Sequence, residues 1–430
     1  MPPVESGTKR DSRKSIPQLK DYDIHPVTGF LPSDPLPLTR LPKFYEAWEL
    51  VLDDLQRLLL AGRLRDKVRS LPTLEDMSHL TSRRDWQRAY LIPSVGKKKV
   101  PKCIAIPWLK VCDYLEVKPI VTYASVCLYN FKLLDPTAPW DLSNLCILHT
   151  FSCSMDEAWF FLVSIAIEAA GAPALPAIVR ALHAVENDDT KSLMEALAVI
   201  ADVTEKITVL LKRMYEKTDA HIFFNRVRPY MNGWEKAENM PDGVLYEGVL
   251  SATNGVPNGK VTDLGVYGKY AGGSAGQSSL IHVLDCVLDV VHKPMPGSDR
   301  KKMINFIHEM RNYMPGSHRR FIEAVTDSYS IKGADYIESL PRRSSGASEL
   351  TSLFNRCVEG MKSFRNTHIQ MVSVYIVSQA NKRKDVGNAG IPAQVQTERL
   401  QNGLLARGTG GTNLIPFLKQ SRDETDAAKI

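Results

Sequence analysis

Apolar residues return at helical intervals through most of the chain, and this periodicity limits its possible folds more than any single motif does. In 189–217, Leu193, Leu197, Ile200, Val203, Ile207 and Leu211 form one stripe of a long helix, and Asp189 is placed to cap its first turn. Residues 45–71 repeat the pattern with Trp48, Leu52, Leu55 and Leu59, between Pro42 and Pro72. The same spacing predicts helices over 279–292, 300–313, 317–328 and 348–380. Short β-branched runs do not alternate with these segments, so a parallel sheet is not expected and the fold class is all-α.

With 430 residues, 44% of them hydrophobic, the chain can bury a large core. The Pro-rich stretch 135–140 marks a boundary, giving a smaller, mainly helical N-terminal domain in 1–150 and a large helical domain in 151–430. Residues 1–20 are expected to be disordered. Residues 381–407, rich in Gly, Gln and Asn with few apolar anchors, read as a mobile loop. The stretch 159–179 approaches the ~20 residues of a membrane span. Glu168, Pro173 and Pro176 interrupt it, so it reads as a buried core helix followed by a turn, and no membrane partner is expected. The net charge of +6 is interleaved along the chain instead of forming a stripe, which argues against nucleic acid. Seven cysteines without a Cys-x-x-Cys pair suit a reducing compartment, with Cys127, Cys146, Cys286 and Cys357 in apolar surroundings. The polar start, Met1 to Ser15, is not a secretory signal, so a cytoplasmic location is expected. No heptad or long exposed apolar stripe argues for assembly, and the oligomeric state stays open at this point.

Five segments carry residues suited to chemistry. On the helix around His368, Phe364, His368, Met371, Val372 and Tyr375 share one face, and Arg365 projects nearly the same way. A core histidine bonded to a backbone carbonyl is one reading. The other is a metal ligand beside a cation, a combination suited to haem, with iron at its centre and carboxylates at its edge. Residues 271–279, Ala-Gly-Gly-Ser-Ala-Gly-Gln-Ser-Ser, are small enough for backbone to lie flat on a planar ligand around Ser274. They also suit a helix cap at Ser278 or Ser279. Gly272 to Gly276 further matches the Gly-x-Ser-x-Gly elbow of a serine hydrolase, with Asp335 and His368 following in order. That reading lacks a strand into Ser274, because 264–270 is short and broken by glycine.

In 223–231, Phe223 and Phe224 precede Arg228, a set suited to a ligand with an aromatic body and a carboxylate. The alternative is core phenylalanines with a surface arginine. Pro229 predicts that a helix ends or kinks at Arg228. Phe160 and Ser164 lie one turn apart, either facing a cavity or within an ordinary core helix. Gly408-Thr-Gly-Gly-Thr412 lacks the lysine and preceding strand of a phosphate loop and reads better as a hinge carrying Thr409.

Taken together and in this order, these segments resemble the indoleamine 2,3-dioxygenase family over 106–419. The resemblance implies a monomeric haem b enzyme that uses O2 and an external reductant to open the indole C2–C3 bond of L-tryptophan, with other indoleamines as a wider substrate class. The product is N-formyl-L-kynurenine, the first step of the kynurenine pathway of tryptophan catabolism and NAD biosynthesis. It further implies His368 as the iron ligand, with Arg365 paired to Asp285 at the haem edge and Gly273, Ser274 and Ala275 over the haem. Tyr123, Phe160 and Ser164 are then the inner pocket, Phe223, Phe224, Arg228 and Met231 the substrate wall, and Thr409 the residue of the closing loop. Among these, Ser164, Phe160 and Arg228 are the residues expected to act on the substrate during reaction. Met231 departs from the leucine associated with that place. Ser164 stands where the tetrameric tryptophan dioxygenases carry a distal histidine, which favours the indoleamine branch. The first hundred residues show little specific likeness. A non-catalytic haem-binding relative of the same fold is the remaining alternative to both the dioxygenase and the hydrolase.

Overall fold

The Asp189 carboxylate accepts a hydrogen bond from the Ser192 amide at 3.0 Å and starts a 23-residue helix, Thr190–Lys212, along the stripe marked by the sequence. The computed structural model describes residues 15–32, 36–91, 99–235, 237, 240–251, 256, 259–294, 306–332, 336–339, 346–385 and 414–430. The first helices are α1 (Glu46–Asp53), α2 (Leu55–Leu60), α3 (Leu64–Arg69), α4 (Arg83–Ala89) and α5 (Lys102–Leu115). Then come α6 (Met155–Gly171), α7 (Ala174–Glu186), α8 (Thr190–Lys212), α9 (Ala220–Ile222), α10 (Arg228–Met231) and α11 (Ser279–Val287). The last are α12 (Phe306–Arg311), α13 (Gly316–Thr326), α14 (Ala347–Val372), α15 (Ser378–Asp385) and α16 (Leu414–Asp426).

The all-α class holds, with two small sheets among the described residues that the periodicity does not reveal. β1 (Lys99–Val100), β4 (Val244–Glu247), β6 (Gly265–Gly268) and β5 (Lys260–Thr262) form one sheet in the order β1-β4-β6-β5. β1 runs parallel to β4 through Lys99 opposite Leu245 and Val100 opposite Tyr246, whereas the other pairings are antiparallel. β2 (Phe131–Leu133) and β3 (Leu145–Ile147) form a hairpin. Strands of two to four residues are too short to show a period. The expected helix over 45–71 divides into α1, α2 and α3, the last break following Gly62 in a left-handed conformation. Within 1–20, Leu19–Tyr22 is a 3-10 turn, and Ile16 and Leu19 pack on the core. Within 381–407, α15 extends to Asp385, and 386–407 lie outside the described residues.

Helices α8 and α14 pack along each other at the centre, with α6 and α7 against α8 and α16 against α14. The six stripe residues of α8 are all buried. Gly360 lets the central pair approach: a Cβ there would collide with the Thr204 side chain, while the Thr208 hydroxyl donates to the Gly360 carbonyl at 3.4 Å. Met155–Glu186 is long and apolar enough to cross a membrane, but 72% of its most apolar window is buried in the fold, as in a core helix.

Glu168 sits inside this apolar run at 1% exposure, accepting a 2.6 Å hydrogen bond from Ser278, the residue that caps α11. It therefore ties α6 to the start of α11. Burial pushes its carboxyl up to about 7, against the opposing hydrogen bonds of Ser278 and Tyr123.

Two stability outcomes are expected. Gly360→Ala should cost about 1–3 kcal/mol in chemical unfolding, the usual penalty for overpacking. Glu168→Gln should gain on the native protein as pH rises. A carboxyl raised in the folded state contributes stability below its unfolded value, and that contribution is lost as pH climbs toward 7. The difference between the two proteins should grow from about pH 4.5, reach on the order of 3 kcal/mol near pH 7 and then stay flat. A pH-independent difference would contradict a protonated Glu168.

Candidate active site

Helix α14 turns Phe364, Arg365, His368, Met371 and Val372 toward one internal cavity of about 260 Å3, so the face read from the sequence is the face that lines it. A π turn, Ser373–Val377, follows and brings Tyr375 to the same wall. Among the described residues no hydrogen-bonding group reaches the His368 ring, which is therefore not a core histidine tied to a carbonyl. Burial, helped by the nearby Arg365 charge, pushes its imidazole down to about 4. At neutral pH it is a neutral ring facing open space, the state a metal ligand requires.

Arg365 is 8% exposed, and every donor group of its guanidinium has a partner. Nη2 donates to both oxygens of Asp285 at 2.9 and 2.7 Å, Nε to Ser421 at 3.0 Å, and Nη1 to Thr425 at 2.6 Å. Burial opposes ionisation of Asp285, but the Arg365 charge and His292 hold its carboxyl well below the usual range. Arg365 and Asp285 both line the cavity, so the pairing implied by the resemblance is present in the geometry. Ser421 and Thr425, on α16, carry no motif and escaped the sequence reading.

The opposite wall comes from α6 and two further π turns, Ala124–Leu128 and Phe223–Val227. Phe160 meets Phe223 with ring centroids 4.6 Å apart, and Phe223 meets Tyr375 edge-on at 5.8 Å. Tyr375 is anchored by its hydroxyl, which donates to the Thr218 carbonyl at 2.6 Å. This aromatic anchor was seen in the sequence only as a member of the His368 face. Ser164 lines the cavity, but its hydroxyl donates to the Phe160 carbonyl at 3.1 Å, so its proton is engaged by the helix backbone. Tyr123 joins the wall, with its amide donating to Gln277 Oε1 at 3.0 Å.

Arg228 does not end a helix. The π turn leads directly into α10, where Pro229 sits in the first turn and its missing N–H costs nothing. Arg228 and Met231 both line the cavity, at 5% and 7% exposure. Burial pushes the Arg228 guanidinium down to about 10, still a cation at neutral pH. Phe224 is placed differently from the substrate wall expected of it: it is buried outside the cavity lining and its ring lies 5.6 Å from the Arg228 guanidinium, supporting that residue from behind.

Gly273, Ser274 and Ala275 line the cavity as well. Gly272 is required for another reason, since a Cβ there would strike the Met231 carbonyl and the Gly233 amide. The hydrolase elbow is not formed. Ser274 has extended backbone, φ −148° and ψ 145°, and its hydroxyl accepts from the Gly276 amide at 3.1 Å instead of standing on a strained turn. Of the alternatives for this segment, the helix cap is realised by Ser278. Thr409 and Asp335 lie outside the described residues.

The residues present fit haem in chemical type. His368 could hold the iron with its neutral ring, and the macrocycle would supply the remaining nitrogen donors, which no cluster of His, Cys, Asp or Glu among the described residues offers. Apolar and aromatic side chains from both walls suit a flat hydrophobic ring, and Arg365 stands at the edge of the same space.

A family model described as indoleamine 2,3-dioxygenase matches residues 18–428, so the N-terminal hundred residues belong to the likeness too. Indoleamine 2,3-dioxygenase 1 of Rattus norvegicus is 33% identical over 427 residues, covering 96% of each chain. The indoleamine 2,3-dioxygenase of Saccharomyces cerevisiae is 32% identical over 452 residues, covering 97% of this chain and 95% of its own. One from Penicillium citrinum is 34% identical over 429 residues, covering 95% and 88% respectively. With a cavity that unites His368, the Arg365–Asp285 pair and an aromatic wall, and with relatives matched end to end, the chain belongs to the indoleamine 2,3-dioxygenase family, haem-dependent oxidoreductases of the dioxygenase class.

Proposed function

We propose that this protein binds haem b through His368 and uses O2 to open the indole C2–C3 bond of L-tryptophan, giving N-formyl-L-kynurenine. The observation that carries the reading is one cavity with a neutral, unpartnered imidazole on one wall and Phe160, Phe223 and a buried guanidinium on another. Haem, when bound, supplies the oxygen chemistry that no side chain here provides.

The chain's own residues orient and exclude. Phe160 and Phe223 give an aromatic surface for an indole and keep water out. Arg228 would take the carboxylate of the amino acid through paired hydrogen bonds, and Phe224 behind it holds the guanidinium in place. Met231 would fill the space beside the ring, with Tyr123 and Ser164 closing the inner end. Ser164 has its proton committed to a backbone carbonyl, so its part is hydrogen bonding and not base catalysis. Gly273, Ser274 and Ala275 would lie against the haem, and Thr409 would close over bound substrate. The reading includes an external reductant, a monomeric protein and a cytosolic setting, the last supported by seven free thiols. The relatives' printed names support indoleamines as the substrate class.

Protein incubated with haem, an ascorbate-type reductant and L-tryptophan should develop the absorbance of N-formylkynurenine. A haem spectrum without product would leave a non-catalytic haem-binding relative. Arg228→Ala should lower kcat/KM for L-tryptophan roughly 10–100-fold, the loss expected for a charged hydrogen-bond pair. The same change should matter far less for tryptamine, which has no carboxylate. Ser164→Ala should retain most turnover, and its inactivation would assign the hydroxyl a larger part than its backbone bond allows.

A further inference from the structure

Asp285 holds a second cation besides Arg365. His292 follows α11 with a side chain only 4% exposed. Its Nε2 lies 3.1 Å from Asp285 Oδ2 and its Nδ1 lies 2.8 Å from Glu424 Oε2. Carboxylates only accept, so a ring bonded to both must donate from both nitrogens, and only the imidazolium does so. Four charges then alternate through the interior: Arg365 positive, Asp285 negative, His292 positive, Glu424 negative. The other Glu424 oxygen accepts from the Lys293 amide at 2.8 Å and from Gln420 at 2.7 Å, so the outer end of the ladder is also bonded.

This ladder joins three helices. Arg365 belongs to α14, Asp285 to α11, and Glu424, Ser421 and Thr425 to α16. We propose that His292, as an imidazolium, is the residue that positions the Asp285–Arg365 pair and clamps the C-terminal helix against the cavity edge, so that the hold on haem loosens as the ring loses its proton. The purpose of the clamp rests on the haem reading; its existence does not.

The groups facing His292 support the charged state. Burial opposes it, but the hydrogen bond and charge of Asp285 and the hydrogen bond of Glu424 outweigh both burial and the repulsion of Arg365, so the ring is raised above 6.5. His282 and His308 also lie within electrostatic reach. Burial lowers both, so neither adds a competing positive charge at neutral pH. A histidine raised on folding contributes stability that is complete below about 6.5 and is lost as pH climbs through its folded value.

The test is haem release from the full-length loaded protein to an apoglobin scavenger between pH 6 and 9, with thermal unfolding across the same range. The native protein should release haem slowly at pH 6.5 and faster on the alkaline side. His292→Gln should release it on the order of 10-fold faster at pH 6.5 and lose the alkaline rise. It should also melt lower than the native protein at pH 6.5, with the gap narrowing toward pH 9. Glu424→Gln keeps the side-chain size and covers the case in which the histidine variant does not fold. It should move the alkaline rise to lower pH, because one of the two carboxylates holding the proton is gone. Equal release rates and parallel melting curves for all three proteins would overturn the proposal. If the protein takes up no haem, the proposed function fails, and the melting series alone decides the clamp by the same criterion.

Discussion

A guanidinium buried in the helix turn before His368 is tolerated only if its charge and its donors are met from outside that helix, and this requirement organises the site. Arg365 draws Asp285 from α11 and the hydroxyls of Ser421 and Thr425 from α16. Breaking such a pair strands a charge in low dielectric at a cost of several kcal/mol, so the three helices are held in one arrangement. That arrangement holds one wall of the cavity, on which His368, three residues further on, has no hydrogen-bond partner among the described residues and faces the open space. Burial is the main reason that His368 is pushed down to about 4, and the Arg365 charge adds to it by repelling the proton.

The opposite wall is made by different means. Three π turns, at Ala124–Leu128, Phe223–Val227 and Ser373–Val377, each add a residue to a helical turn and re-aim the side chains beside them. Tyr123, Phe223 and Tyr375 reach the cavity from or next to these turns, and regular helices through the same segments would rotate part of each set away from it. Arg228 follows directly after one of them, which lets Pro229 sit where its missing donor is harmless. Phe224, kept from the cavity, holds the guanidinium in register instead. The pocket is thus mainly apolar, with aromatic rings on both walls and two guanidiniums, Arg228 and the Asp285-paired Arg365, on its lining.

Much of this was legible in the sequence because helices write their buried faces at a fixed period. The α8 stripe, the Asp189 cap, the α6 core helix and the shared face of Phe364, His368, Met371 and Tyr375 all come directly from spacing. The pairing of Arg365 with Asp285 came from family likeness, since spacing alone says nothing about residues on different helices. The sheet was not visible because its strands have two to four residues and β1 pairs with a strand far along the chain. Breaks within 45–71 depend on local turns that an unbroken apolar pattern does not mark. His292 and Glu424, 132 residues apart, carry no motif, and only the folded chain shows that one ring spans two carboxylates.

We propose that His368 is the protein ligand of the haem iron, and the whole site reading turns on it. Resonance Raman spectra of the ferrous, haem-loaded protein read the iron–imidazole stretching band directly. That band should be present in the native protein, absent from His368→Gly, and restored when free imidazole is added to the variant. An unchanged band in His368→Gly before imidazole is added would contradict the account and place the ligand elsewhere.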